Sequence, residues 1–168
     1  VQAGLSVQQL ENFLREKGFS LGYVPRFRRG LTIGDYLANA VPGEGSPLYG
    51  TVRENCIGLS AVLSDGTTFS VRPVPRRAAG PDLAHCLIGS QGRYGIITAA
   101  CFRVFPVPAV REALAFAADD PVIAVSAVRS ILHRCALPEW ALVAVRAPVG
   151  LGNRRRVRLV LQLGGSRE

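Results

Sequence analysis

The sequence predicts an α+β fold in two unequal parts. Three observations carry that expectation. Apolar runs of period two, closed by glycine-containing turns, alternate with segments of helical period. The texture of the chain changes near Val107, between Pro106 and Pro108. Finally, 168 residues at 48% hydrophobic and 19% charged content are enough to bury a core and exclude a disordered, solvating chain. No internal repeat or low-complexity segment is present.

Ser6-Val7-Gln8-Gln9 reads as a capping box that opens a short helix. Val7, Leu10 and Leu14 share one face of it, and Gly18 follows the last turn. Residues 19–55 are punctuated by Gly and Pro with little periodicity, as in a long functional or disordered loop. Ile57, Leu59, Ala61 and Leu63 then alternate with smaller residues, Asp65-Gly66 follows, and Thr67 to Val71 returns. That is a strand, a tight turn and a second strand. Pro81 is placed to start a short helix carrying Leu83 and Leu87 on one side, ended by Gly89. Tyr94 to Phe105 reads as one long apolar strand stopped by Pro106 and Pro108.

In the second part, Ala113 to Ala117 reads as a strand. Asp119, Asp120 and Pro121 open a helix with Val122, Val125, Val128 and Leu132 inward. Trp140 to Val145 and Val157 to Leu163 are two further strands.

Twenty basic residues against twelve acidic ones give a formal charge of +8, and only Lys17 of the twenty is lysine. That skew is expected from codon composition more than from a selected nucleic-acid surface, although it makes anionic partners worth weighing. The longest stretch free of charged residues is ten, as in Asn55 to Ser64, which is half of what a membrane-spanning helix needs. No basic-then-apolar signal peptide opens the chain. The absence of methionine and the start at Val1 are expected of a processed or excised piece. Cys56, Cys86, Cys101 and Cys135 form no Cys-x-x-Cys pair, and no His stands at ligand spacing. They read as reduced, mostly buried thiols of a cytoplasmic protein, without structural zinc.

Two stretches have the make-up of binding sites. Gly89-Ser90-Gln91-Gly92-Arg93-Tyr94-Gly95-Ile96-Ile97 places three glycines at a spacing of three between a helix end and a strand start. Glycine admits close backbone approach and offers N–H groups to anionic or heterocyclic atoms, though a tight connection needs the same residues. Leu31-Thr32-Ile33-Gly34 leads into Tyr36-Leu37-Ala38-Asn39-Ala40, a small-residue loop entering a short helix. Neither is a Walker loop, and no G-x-G-x-x-G follows a strand.

GPDLAHCLIGSQGRYGIITAACFRVFPVP, from Gly80 to Pro108, resembles the FAD-linked oxidases of the vanillyl-alcohol-oxidase type. Their pattern at this place is G-x-D-L, then G-S-E-G-T-L-G-I-I-T, then a strand ending in P-x-P. LTIGDYLANAVPGEGSPLYGTVRENCIGLSAVLSDG, from Leu31 to Gly66, is similar to the same family's T-x-G-G loop, small-residue helix, Y-G and strand closing on D-G. VQAGLSVQQLENFLREKGFSLGYVP matches its V-x-A-G opening and following helix. The nearest branch is that of alkyldihydroxyacetonephosphate synthase, D-lactate dehydrogenase and glycolate oxidase.

The resemblance implies the second lobe of a PCMH-type FAD-binding domain over residues 1–107, followed over 108–168 by the start of an incomplete ferredoxin-like substrate cap. FAD is the implied, non-covalent cofactor. Its implied contacts are Arg26, Thr32, Ile33 and Gly34 before and in the T-x-G loop, Ala38 and Asn39 on the small-residue helix, and Gln91, Gly92, Arg93, Tyr94, Gly95, Ile96 and Ile97. Six departures accompany the match, one being that the Arg expected a few residues after Pro138 in the cap is absent, Ala141 and Leu142 standing there. The family's earlier glycine-rich lobe is not in this sequence. Asp35 stands where the second loop glycine would be, placing a carboxylate near a diphosphate. Gln91 replaces the Glu of G-S-E-G, and Arg93-Tyr94 replaces Thr-Leu. The catalytic Tyr and His of the family lie further downstream.

The expected function is therefore the FAD-binding portion of an oxidoreductase acting on a small 2-hydroxy acid or an alkyldihydroxyacetonephosphate-type substrate. A degenerate, non-catalytic scaffold or partner subunit is the alternative. The implied partners are a small-molecule substrate and a polypeptide supplying the absent lobe; nucleic acid is disfavoured. His85 and His133 read as packed or solvated histidines, and Ser126 and Ser130 lack the neighbours of a hydrolase. Arg154, Arg155, Arg156 and Arg158 read as a solvated turn leading into the last strand, whereas Arg26, Arg28 and Arg29 stand where an anionic cofactor would explain them.

Overall fold

The computed structural model describes residues 1–22, 30–41, 43, 46–74, 82–118, 120–134, 138–146 and 156–165. It divides into two compact units, Val1–Glu44 with Tyr49–Val107, and Gly45–Leu48 with Pro108–Glu168.

The first unit opens with helix α1 (Val7–Glu16). Ser6 and Gln9 form the reciprocal capping box that the sequence predicts, with the Gln9 amide donating to Ser6 Oγ at 3.1 Å. Val7 is buried, and Leu10 and Leu14 pack against the core. Glu11 is also buried on this helix, which the apolar pattern does not anticipate. Its carboxylate accepts from Arg15 Nε at 2.7 Å, from the Ser20 hydroxyl at 2.7 Å and from the Leu21 amide at 3.0 Å. A buried carboxylate is tolerable only when satisfied in this way, so Glu11 clamps the helix to the chain that follows.

That chain is strand β1 (Phe19–Ser20). Helices α2 (Ile33–Ala38), α3 (Ser46–Tyr49) and α4 (Val52–Asn55) follow, so the segment read as a long loop contains three short helices. Strands β2 (Cys56–Leu63) and β3 (Thr68–Val71) are the predicted hairpin, paired Leu59 to Val71 through Val62 to Thr68. Between them Asp65 Oδ1 accepts from the Thr67 amide at 2.9 Å, and Gly66 takes the positive φ of +84° that the tight turn requires.

Helix α5 (Leu83–Leu87) is capped by Asp82, whose Oδ1 accepts from the Ala84 amide. Pro81 lies outside the described residues. The helix starts at Leu83, two residues after the expected start at Pro81, and turns Ala84 and Leu87 inward while Leu83 is exposed.

The predicted long apolar strand is two pieces, β4 (Gly95–Phe102) and β5 (Phe105–Pro106). The break falls where the Arg103 amide donates to Asn55 O at 2.8 Å, which turns the chain out of the sheet. Pro106 therefore does not stop the strand. It sits in the two-residue antiparallel pair of β5 with β1, where a missing N–H is tolerated at an edge. The main sheet is antiparallel in the order β3-β2-β4. Ile33, Tyr36 and Leu37 of α2 are fully buried in the core, together with Leu59, Ala61 and Ile88.

The cysteines correct an expectation. Cys56 is buried, and burial pushes its thiol up to about 11, but Cys86 and Cys101 are exposed. An apolar neighbourhood in sequence does not fix the face: Cys101 points outward from β4, and Cys86 lies on the outer side of α5. All three are free thiols, and Cys135 lies outside the described residues.

The second unit comprises β6 (Val110–Ala118), α6 (Pro121–Arg134), β7 (Trp140–Arg146) and β8 (Arg156–Gly165). β8 lies between β6 and β7 and is antiparallel to both. This β-α-β-β order is the first part of a ferredoxin-like unit. Asp120 opens α6 by accepting from the Val122 amide at 2.8 Å. The buried face of α6 differs from the predicted one. Ala124 is buried and Pro121, Val128 and Ile131 are half-buried, while Val122 is 69% and Val125 56% exposed and Leu132 is exposed too. Pro121, Ala124, Val128 and Ile131 form a stripe at spacings of three and four, and the helix packs against β8, in which Leu159 and Leu161 are buried. Buried Glu139 is satisfied by Arg111 Nε at 3.0 Å and Gln162 Nε2 at 2.6 Å. Of the basic run, Arg156 begins β8 and Arg158 is exposed within it; Arg154 and Arg155 lie outside the described residues.

Candidate cofactor-binding site

The site of the first unit is built from three backbone segments. The opening segment lies along β4, with the Ala3 amide donating to Thr98 O at 2.9 Å and Val1 O accepting from the Ala100 amide at 2.9 Å. It also holds the start of α2, because the Ile33 amide donates to Leu5 O and the Gly34 amide to Ala3 O, each at 2.9 Å. Thr32 caps that helix by accepting from the Asp35 amide at 3.1 Å and donating its hydroxyl proton to Asp35 Oδ2 at 2.8 Å. The end of α2 fastens the third segment, the Gly89–Ile97 loop: Leu37 O accepts from the Gly89 amide and Ala38 O from the Gln91 amide.

Between these segments lies a cavity of about 330 Å³. Ala3, Gly4, Thr32, Gly34, Asp35, Ala38, Gly92, Gly95, Ile96 and Ile97 line it. Most of that wall is glycine backbone or carbon, which suits a flat heterocycle. The amides of Gly4 and Gly92 take no hydrogen bond among the described residues, and a Cβ on either would meet open space. Gly95 differs: a Cβ there would stand 2.5 Å from Val62 O, so only glycine lets β4 start against β2. Asp35 brings a carboxylate to the wall, and Thr32 is its side-chain partner among the described residues.

Of the residues that the sequence assigns to a cofactor, the cavity gathers Thr32, Gly34, Ala38, Gly92, Gly95, Ile96 and Ile97. Ile33 has its side chain in the core and its amide committed to Leu5. Asn39 folds back on α2, with Nδ2 donating to Asp35 O at 2.9 Å. Gln91, Arg93 and Tyr94 line a second cavity, and Arg26 lies outside the described residues. The cavity also takes in Ala3 and Gly4, whose signal in the sequence is the V-x-A-G opening.

The second cavity, of about 430 Å³, takes in Arg53, His85, Cys86 and Ser90 besides Gln91, Arg93 and Tyr94. Arg53 is held by the last carbonyls around α5, Nη1 donating to His85 O and Nη2 to Ile88 O, both at 2.7 Å. A cation there complements the C-terminal end of the helix. His85 Nδ1 pairs with Asp82 Oδ2 at 2.8 Å. Burial raises the Asp82 carboxyl, but the hydrogen bond and charge of His85 outweigh that and leave it below the usual carboxylate range.

Residues 1–72 match a family described as FAD binding domain. This match lies mostly within the first unit. The FAD-linked oxidoreductase YgcU of Escherichia coli strain K12 is 41% identical over 104 residues, covering 62% of this chain and 22% of that protein. The mitochondrial D-lactate dehydrogenase [cytochrome] 1 of Saccharomyces cerevisiae is 37% identical over 109 residues, covering 64% and 18%. A solved structure of alkyldihydroxyacetonephosphate synthase superposes with a TM-score of 0.82 at 25% identity, over 98% of this chain and 34% of that one. The fold is therefore that of the PCMH-type FAD-binding domain, α+β with antiparallel sheets and helices. The chain spans about a fifth of the length of the curated relatives it matches. No helix among the described residues is long and apolar enough to cross a membrane.

The glycine-lined cavity fits part of an FAD molecule. A carbon-lined wall with two uncommitted amides accommodates a flat ring and its carbonyl or ring-nitrogen acceptors. The wall around Asp35 does not fit a diphosphate, because the carboxylate repels it and the Ile33, Gly34 and Asp35 amides are already engaged.

Proposed function

We propose that the chain supplies the second-lobe half of the FAD cradle in an FAD-linked oxidoreductase, with residues 1–107 as that lobe and 108–168 as the start of a substrate cap. The single observation behind the proposal is the glycine-lined cavity at the meeting of the opening segment, α2 and β4, in a unit of FAD-binding-domain sequence. Thr32, Gly34, Ala38, Gly92, Gly95, Ile96 and Ile97, joined by Ala3 and Gly4, would hold the cofactor. FAD when bound supplies the redox chemistry. The chain's own residues orient one face of it and exclude water from that face.

Relatives named as D-lactate dehydrogenase and alkyldihydroxyacetonephosphate synthase support a small 2-hydroxy acid or an alkyldihydroxyacetonephosphate-type substrate. A polypeptide completes the other half of the cradle, and the site of action is the cytoplasm. Asp35 favours a second reading, a scaffold that no longer holds FAD by itself. The visible absorbance of the purified chain after incubation with excess FAD and desalting separates the two. Retained flavin bands are expected if the half-cradle binds on its own; a colourless chain overturns that and selects the scaffold or a partner-completed site.

A further inference from the structure

The second cavity has a composition that the flavin reading leaves unused. Two guanidinium groups, those of Arg53 and Arg93, stand in its wall, and no Asp or Glu side chain does. Arg53 is already fixed in place by its two bonds to the carbonyls of His85 and Ile88, so its charge is presented without a further ordering cost. The Arg93 guanidinium and the Ser90 hydroxyl have no partner among the described residues and remain free to donate. Tyr94, 60% exposed, lines the same cavity and offers its ring as an apolar surface.

We propose that this cavity binds a phosphate monoester. Arg93 and Ser90 donate to the phosphoryl oxygens while Arg53 adds a fixed positive charge, and the organic group lies against Tyr94. Two arginines and a hydroxyl, with the Asp82 carboxylate beside the wall engaged by His85, suit a dianion with several oxygens, and a guanidinium fork matches phosphate in two bonds. At about 430 Å³ the cavity falls in the range that holds small organic ligands, so there is room beyond a bare anion. The loop from Gly89 to Ile97 separates it from the glycine-lined cavity: Gly92, Gly95, Ile96 and Ile97 line one side, Gln91, Arg93 and Tyr94 the other. The proposal rests on this cavity's own lining, although the resemblance also assigns Gln91, Arg93 and Tyr94 to FAD.

Calorimetric titration of the 168-residue chain with phenyl phosphate, and separately with inorganic phosphate at matched ionic strength, tests it. Saturable binding is expected for both, tighter for phenyl phosphate. Arg93→Ala should weaken it at least about tenfold and Ser90→Ala about threefold. Gly4→Val, in the other cavity, should leave it unchanged. Neither Arg93 nor Ser90 takes part in the core, so unaltered unfolding midpoints accompany these losses. The proposal fails if no saturation occurs below about 10 mM, if Arg93→Ala binds as the parent does, or if Gly4→Val removes the binding and so places the anion in the glycine-lined cavity.

Discussion

One loop, Gly89 to Ile97, walls two cavities of opposite chemistry. On one side Gly92, Gly95, Ile96 and Ile97 join the glycines of the opening segment and α2 in a surface of backbone and carbon. On the other, Arg53, Arg93 and Ser90 gather charge and free donors. Among the lining residues the carboxylate, that of Asp35, is on the carbon side and the guanidinium groups are on the donor side, where His85 brings its paired Asp82 close. The comparison teaches that a glycine spacing says where backbone comes close to something, but not which side each neighbouring side chain takes. That is decided by the positive φ of Gln91 and Gly92, +55° and +79°, which swing consecutive residues to opposite flanks.

The largest expected effect breaks both flanks at once. In Gly95→Ala the new Cβ meets Val62 O at 2.5 Å and the Leu63 backbone at 3.1 Å, neither of which is a flexible side-chain end. The β2–β4 ladder has to open there, and the loop it anchors moves with it. A loss of about 3 kcal/mol is expected, read as a fall in the denaturant midpoint, with loss of both FAD and phenyl phosphate binding. A parent-like midpoint would show that the start of β4 is free to shift and that the loop does not depend on it.

How much of this was legible follows from where the information is stored. The Ser6 capping box and the Asp65-Gly66 turn are coded within four residues, and the structure has both. The apolar face of α6 is not local. Val122 and Val125 are as hydrophobic as the residues that pack, and packing against the sheet decides that Ala124 is the one buried. The pairing of β1 with β5 joins residues more than eighty positions apart, and two residues of strand leave no periodic trace. In the candidate site, the glycine backbone was legible as a place of close approach. The division of its loop between two cavities was not, since nothing in the spacing signals that Gln91 adopts a left-handed conformation.

A smaller effect sharpens the contrast between the flanks by removing its charge on one side. Asp35→Asn keeps an oxygen to accept from Thr32 Oγ1 and leaves the cap of α2 in place. It removes the carboxylate from the wall that a diphosphate would approach. An exposed charge at this range acts through water, so a gain of about tenfold in FAD affinity is expected, measured by quenching of flavin fluorescence. The same change costs a few tenths of a kcal/mol in stability, because α2 loses a negative charge from its first turn. Affinity and stability therefore move in opposite directions, which a general loosening of the fold would not produce. Unchanged FAD affinity would mean that Asp35 lies away from the diphosphate, and phenyl phosphate binding should stay the same throughout.

The smallest effect addresses the residue that divides the loop. Gln91 holds φ at +55°, a conformation that costs a non-glycine residue about 1 kcal/mol, while its amide donates to Ala38 O at 2.8 Å. Gln91→Gly removes that cost and keeps the amide bond, but it also adds freedom to the unfolded chain, which offsets part of the gain. A net stabilisation of about 0.5 kcal/mol is expected in denaturant unfolding. Phenyl phosphate affinity should fall slightly as the Gln91 side chain leaves the donor wall, and FAD affinity should be unaffected, because only backbone at this end of the loop meets the glycine-lined cavity. A destabilised variant would mean that the Gln91 side chain makes contacts worth more than the strain of its backbone. The left-handed turn would then be held by that side chain and not by the Ala38 hydrogen bond.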